Sequence, residues 1–148
     1  MAWLTARSPV PVIADESLVS AEDAQRLAAQ RGCHLFNIRI SKCGGLLNSA
    51  RIAAIGRAAG IGCMLGAQVG ETALLSAAGR QFGTRVPDVR FFEGSYGKLL
   101  LTEDIATAEI TFGKGGEAPA LLGPGLGVDV DQRRLDAYVT HRAPVARA

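Results

Sequence analysis

The chain alternates short apolar runs with longer, mixed stretches. Residues 10–14, 35–41, 61–67 and 89–93 are rich in Val, Ile, Leu and Phe and have the length of strands. Between them the pattern turns helical. Ser20 with Asp23 three positions on makes a capping-box-like start for a helix through about Arg31, with Gly32 as its stop. Gly44 and Gly45 turn the chain, and Leu47, Ile52, Ile55 and Ala59 mark the apolar side of a helix running to Gly60. A third helix of small residues is predicted over 71–80. Residues 2–7 read as the last turn of a helix, closed by Ser8 and Pro9.

Strands separated by helices of this length imply βαβ units and a parallel sheet, an α/β fold. Four such units make about half of a TIM-type (β/α) barrel, which typically needs about 250 residues. Residues 1–94 are therefore expected to be a half barrel. From Ser95 the character changes. Residues 95–148 hold many glycines and prolines and only short β-like pieces, such as 108–112, with a helical or strand-like ending over 133–138. No strand-to-helix context surrounds the glycines of 113–116 and 123–127, so they read as turns, not as a phosphate cradle.

Composition narrows the classes. With 148 residues, 48% hydrophobic and 20% charged, the chain is long enough for a real core and unlike a disordered one. A net charge of +2 and few aromatics argue against nucleic acid or an anionic membrane as the main partner. The odd number of cysteines, Cys33, Cys43 and Cys63, has no CxxC or Cys/His spacing, so the three read as small buried hydrophobes. No run approaches the roughly 18 apolar residues of a membrane span, and the first residues lack a secretory pattern. A soluble, reducing, cytoplasmic setting is the expectation.

Chemistry gathers at strand ends. Leu35, Asn37, Arg39 and Ser41 share one face of the second strand, while Phe36, Ile38 and Ile40 form an apolar face suited to helices. That alternation sends Arg39 toward the mouth of a barrel, either as an ion-pair partner or as a functional cation. Asp15 closes the first strand, where a carboxylate caps a helix or binds a hard cation. Glu16 beside it reads as a supporting or solvated group, and Lys42 first of all as a solvated loop lysine. Glu93 ends the fourth strand. Charged groups at three strand ends, Asp15, Arg39 and Glu93, are expected to converge on one barrel face.

These segments taken in order (Ala14-Asp-Glu-Ser17, Asn37-Ile-Arg-Ile-Ser-Lys-Cys-Gly-Gly45, Gly66-Ala-Gln-Val-Gly-Glu71, Glu93-Gly, Leu99-Leu-Leu-Thr-Glu-Asp104 and the 123–128 stretch) resemble the enolase superfamily. The resemblance is to its muconate-lactonizing and dipeptide-epimerase branch, over the C-terminal barrel portion. It implies a Mg²⁺-dependent lyase or isomerase (racemase, epimerase, cycloisomerase or dehydratase) that abstracts a proton next to a carboxylate and stabilises the enediolate. By resemblance, Asp15 is the third metal carboxylate, on the fifth barrel strand, and Arg39 stands where this branch carries a lysine acid/base. Glu93 matches an acidic residue near substrate on the eighth strand. Gln68, Glu71 and Lys42 fall in or beside the substrate pocket, and Glu16 supports the metal ligand.

Two departures shape the expectation. A guanidinium stays protonated at neutral pH, so Arg39 suits an electrostatic clamp better than a general base. That favours one-base dehydration or cycloisomerisation over two-base racemisation. The segments that resemble the family begin at its fifth strand, so the Mg²⁺ site is expected to be incomplete in this chain. A small carboxylic acid is then the expected substrate, with a separately encoded N-terminal half or a second copy as partner, and the tail packing on a capping domain. The competing readings are a non-catalytic half-barrel module and a small doubly wound α/β binding domain, though 15–18 lacks a glycine-rich nucleotide fingerprint.

Overall fold

The computed structural model describes residues 1–94 and 96–144; Ser95, where the expected tail begins, and residues 145–148 lie outside the described residues. Four parallel strands lie in sequential order: β1 (Ile13–Ala14), β2 (Leu35–Ile38), β3 (Gly62–Leu65) and β4 (Val89–Phe92). Helices α2 (Ala21–Ala29), α3 (Leu46–Ala58) and α4 (Ala73–Arg85) connect them, and the short α1 (Ala2–Thr5) precedes β1. A doubly wound domain needs a reversal in strand order. The sequential order excludes that reading and matches a barrel sector.

Register and glycines separate the two faces of the sheet. Ile13 pairs with Leu35, Leu35 with Gly62 and Met64 with Phe91. Ala14, Phe36, Ile38, Cys63 and Leu65 join Leu27, Ile52 and Phe82 in the core between sheet and helices. Phe36 and Phe92 pack where Gly56 of α3 and Gly83 of α4 lack a Cβ. Leu35 and Asn37 take the opposite face, over Gly62 of β3 and Gly66 just beyond its end. This second face corresponds to the interior of a barrel.

Several boundaries move for physical reasons. β1 is shorter than expected because a lone neighbour pairs with it and Pro9 and Pro11 carry no N–H. Ser20 caps α2 as expected, accepting from the Asp23 N–H, but Arg31 takes the left-handed turn (φ 49°) in place of Gly32. α4 starts at Ala73, whose N–H donates 2.7 Å to the Asp104 carboxylate, a cap delivered from 31 residues away. It continues past Arg80 and Gln81, which look like helix-ending polar residues yet are buried. Arg80 donates to the Thr111 carbonyl at 3.0 Å, and Gln81 to those of Leu121 and Leu126 at 3.1 and 3.2 Å.

Those bonds dock the tail on α4. Ala73 and Ala77 pack with Ala106, Ile110, Leu121, Leu126 and Val128. The expected β-like piece over 108–112 forms no strand; the pairing is instead an antiparallel bridge between Ala106 and Val130. The tail carries α5 (Gly97–Leu100), a 3₁₀ turn over Lys114–Gly116 and α6 (Gln132–Tyr138), the last capped by the Asp131 carboxylate. The glycines of 113–116 serve turns, as expected. All three cysteines are buried and unpaired, and burial pushes each thiol up, Cys63 to about 11.

Candidate active site

At the C-terminal end of β2 the ladder stops at Ile38 and the chain curls, with the Cys43 N–H donating to the Arg39 carbonyl at 2.9 Å and the Gly45 N–H to Ile40 at 2.8 Å. Gly44 and Gly45 hold φ values of 78° and 91°, which only glycine adopts without strain. The curl folds Lys42 back over the strand end, close to Arg39. Parity along the strand had set Lys42 apart; the tight turn cancels that parity.

The result is an ion cluster. Arg39 Nη2 donates to Asp15 Oδ2, and Arg39 Nη1 to Glu16 Oε1 at 3.0 Å. Lys42 Nζ donates to Asp15 Oδ1 at 2.7 Å, to the Asp15 carbonyl at 2.7 Å and to the Asn37 carbonyl at 3.2 Å. With its side chain 6% exposed, Lys42 is no solvated loop lysine. Its three N–H groups are all spent on protein acceptors. Asp15 is 37% exposed and Glu16 75%, so the cluster opens to solvent on the carboxylate side. Arg39 is an ion-pair partner, and it also stands at the mouth.

Asn37 was placed on the right face by sequence but not singled out. It is buried, and its Oδ1 has no hydrogen-bond partner among the described residues. A Cβ on Gly66 would lie 2.2 Å from that oxygen, so the glycine is what lets the amide sit there. The signal was available in the i, i+2 spacing of Asn37 and Arg39. Arg39 Nε is likewise buried without a partner.

Glu71 and Glu93 lie elsewhere. They line a cleft of about 250 Å³ beside β3 and β4, walled by Leu75, Arg80, Phe92 and Phe112. Glu71 is held by the Gln68 N–H at 3.1 Å and the Ser76 hydroxyl at 2.8 Å. Gln68 thus touches the site through its backbone. None of Asp15, Arg39 and Lys42 lines this cleft. Convergence is partial: Asp15 and Arg39 meet, while Glu93 shares the same end of the sheet, three strands from Asp15 and two from Arg39.

Mg²⁺ prefers six oxygens in octahedral array. Among the described residues no group of three or more His, Cys, Asp or Glu side chains is placed to hold a metal ion. Both oxygens of Asp15 accept from cations. The residues present do not by themselves fit that ion.

The chain matches the model of the family "Enolase C-terminal domain-like" over residues 1–134. It is 35% identical to muconate cycloisomerase 1 of Rhodococcus opacus over 140 residues, covering 95% of this chain and 36% of that protein. To the L-amino acid-D/L-Glu epimerase of Francisella philomiragia subsp. philomiragia it is 42% identical over 66 residues, covering 45% of this chain and 18% of that protein. The solved muconate lactonizing enzyme of Pseudomonas putida superposes with a TM-score of 0.81 at 33% identity, covering 93% of this chain and 37% of that one. The chain therefore spans little more than a third of the length of the muconate cycloisomerases it matches. With four sequential parallel strands and charged groups at their C-terminal ends, it belongs to the enolase superfamily, in its muconate-lactonizing branch, and corresponds to the C-terminal barrel portion.

Proposed function

We propose that this chain supplies the C-terminal half of the barrel of an enolase-superfamily isomerase or lyase that removes a proton next to a carboxylate. The observation that carries this reading is the Asp15–Arg39–Lys42 cluster at the mouth-side ends of β1 and β2. The cycloisomerases among the relatives favour a cycloisomerase-type reaction on a small unsaturated or α-substituted carboxylic acid. Work in a cytoplasmic setting and assembly with a complementary half belong to the same reading.

The residues of this chain have defined tasks in it. Lys42 fixes the Asp15 carboxylate against the end of β2. Arg39, a permanent cation, holds Asp15 and Glu16 and presents positive charge where a substrate carboxylate gains negative charge. A protonated guanidinium accepts no proton, so Arg39 clamps and does not shuttle. Glu71 and Glu93 polarise the cleft beside β3 and β4. If the enzyme uses Mg²⁺, its remaining ligands come from outside this chain, with Asp15 as the contribution made here.

The test is α-proton exchange. The chain is mixed with the complementary N-terminal portion of the R. opacus muconate cycloisomerase in D₂O with millimolar Mg²⁺, and a panel of carboxylic acids is followed by mass spectrometry. Deuterium uptake or lactone formation by the mixture, lost in Arg39→Met, is the expected result. A folded complex that exchanges none of the panel would favour the second reading, a non-catalytic half-barrel module. That reading has one observation behind it: both oxygens of Asp15 are already neutralised by cations within the chain.

A further inference from the structure

The polar side chains at the end of β2 are unequally engaged. Lys42 spends its three N–H groups on acceptors of Asp15 and Asn37, and Arg39 turns Nη1 and Nη2 to Glu16 and Asp15. The bond that Asn37 accepts from Lys42 ends on its main-chain carbonyl. Among the described residues its side-chain Oδ1 meets no donor and its Nδ2 no acceptor. The residue is only 5% exposed, so bulk water does not make up the loss.

The open edges of the sheet do not cause this. β2 is an inner strand, paired with β1 on one side and β3 on the other. Oδ1 is enclosed by the chain itself, where a Cβ on Gly66 would come within 2.2 Å of it. Nδ2, on the same carbon, is not enclosed. Register sets the remaining neighbours. Asn37 pairs with Met64 and Met64 with Phe91, both apolar. Ala14 pairs with Phe36, which sets Asp15 beside Asn37. Both carboxylate oxygens of Asp15 already accept from Arg39 and Lys42, and the amide is left free. A leucine has the same branched shape and carries no unmet acceptor, so an amide here costs stability that folding does not return.

We propose that Asn37 binds substrate, its amide NH₂ donating to a carboxylate oxygen from the floor of the mouth. The inference rests on the proposed function above and adds a contact to it. Asn37 lies on the barrel-interior face two residues before Arg39, about 6.6 Å deeper along the strand. The end of the amide that is not enclosed is a donor, so the ligand atom it meets is an acceptor. Being neutral, it is not drawn into the ion pairs that hold Arg39 and Lys42. An enediolate oxygen carries more negative charge than a carboxylate oxygen, so the same bond strengthens as the α-proton leaves.

Two variants separate binding from folding. Asn37→Leu keeps the branched shape and Asn37→Ala removes it, and neither can donate. At least one of the two purified chains is expected to unfold at a urea midpoint no lower than that of wild type. In the mixture with the complementary N-terminal portion, both are expected to lose α-proton exchange by 100-fold or more in kcat. Lowered midpoints in both variants, or exchange at the wild-type rate in either, would overturn the assignment. A second readout needs no turnover. The Asn37 side-chain NH₂ signals in ¹H–¹⁵N spectra of the mixture, identified by their loss in Asn37→Leu, are titrated with acetate, the plainest carboxylate probe, in millimolar Mg²⁺. A shift that saturates is expected. A saturating shift in a mixture that exchanges no acid would sink the proposed function and leave the carboxylate contact standing. Unmoved signals in a mixture that does exchange would do the reverse.

Discussion

Lys42→Met tests whether the buried ion cluster is a structural keystone of the β1–β2 mouth. Methionine keeps the unbranched apolar stem of lysine and is one atom shorter, so little packing is lost. What disappears is a 2.7 Å charge-assisted bond to Asp15 Oδ1 and the donors for two main-chain carbonyls, those of Asp15 and Asn37. A hydrogen bond to a charged group contributes about 1.5–3 kcal/mol, and an orphaned buried acceptor costs about 1–3 kcal/mol. Two facts lower the sum. The Asp15 carbonyl still accepts from the Leu18 N–H at 2.9 Å, and the Asp15 side chain is 37% exposed, so water rehydrates it. The expected loss is therefore about 2–3 kcal/mol. Urea denaturation followed by circular dichroism reads it as a lowered midpoint at unchanged slope. In Asp15→Asn/Lys42→Met the two losses should fall short of additivity by about 1 kcal/mol. A solvated lysine would leave stability within about 0.5 kcal/mol of wild type, and that result would refute the reasoning.

Other consequences follow from single contacts. Gly66→Ala forces a methyl group to within 2.2 Å of Asn37 Oδ1; a loss of about 1–3 kcal/mol in the same urea assay is expected. Arg80→Leu removes the donors to the Thr111 and Pro119 carbonyls and the stacking on Phe112, 5.6 Å from its ring centre. Limited proteolysis should then nick the tail between 111 and 121 while residues 1–94 survive. The buried Cys63 thiol holds its proton up to about pH 11, whereas an unfolded thiol loses it near 9.0. The unfolded chain thus binds fewer protons between those values, and stability falls as pH rises through pH 9–11, by roughly 3 kcal/mol. Flat stability across that window, or fast native reaction of Cys63 with a disulfide reagent at pH 8, would contradict the burial.

The barrel sector was legible because its signals are local and periodic. Four apolar runs spaced by helices fix a parallel sheet, and alternation in 35–41 separates the core side of β2 from the side bearing Asn37 and Arg39. Ser20 and Asp23 capped α2 as their spacing implies. What sequence hid depends on contacts made at a distance. α4 is capped by Asp104 and lengthened past Arg80 by tail carbonyls, which no local pattern reports. Lys42 was misjudged because parity assumes an extended chain, and the Gly44-Gly45 curl begins one residue after Ile38. Asp15 and Arg39 were singled out by their positions at strand ends, and the structure pairs them. Asn37 was overlooked although its spacing puts it on the face of Arg39, because an amide on that face stands out only when Gly66 is set against it.

The most direct measurement is muconate turnover by the chain mixed with the N-terminal portion of the R. opacus enzyme, compared with the same mixture carrying Asp15→Asn. The substitution removes the charge that Arg39 and Lys42 surround and keeps the shape of the side chain. Turnover by the wild-type mixture, falling by about 100-fold or more with Asp15→Asn, is the result expected of an active-site carboxylate. Equal turnover by both mixtures would show the cluster to be structural alone. A folded wild-type complex with no turnover on muconate or any other carboxylic acid offered would contradict the enzymatic account.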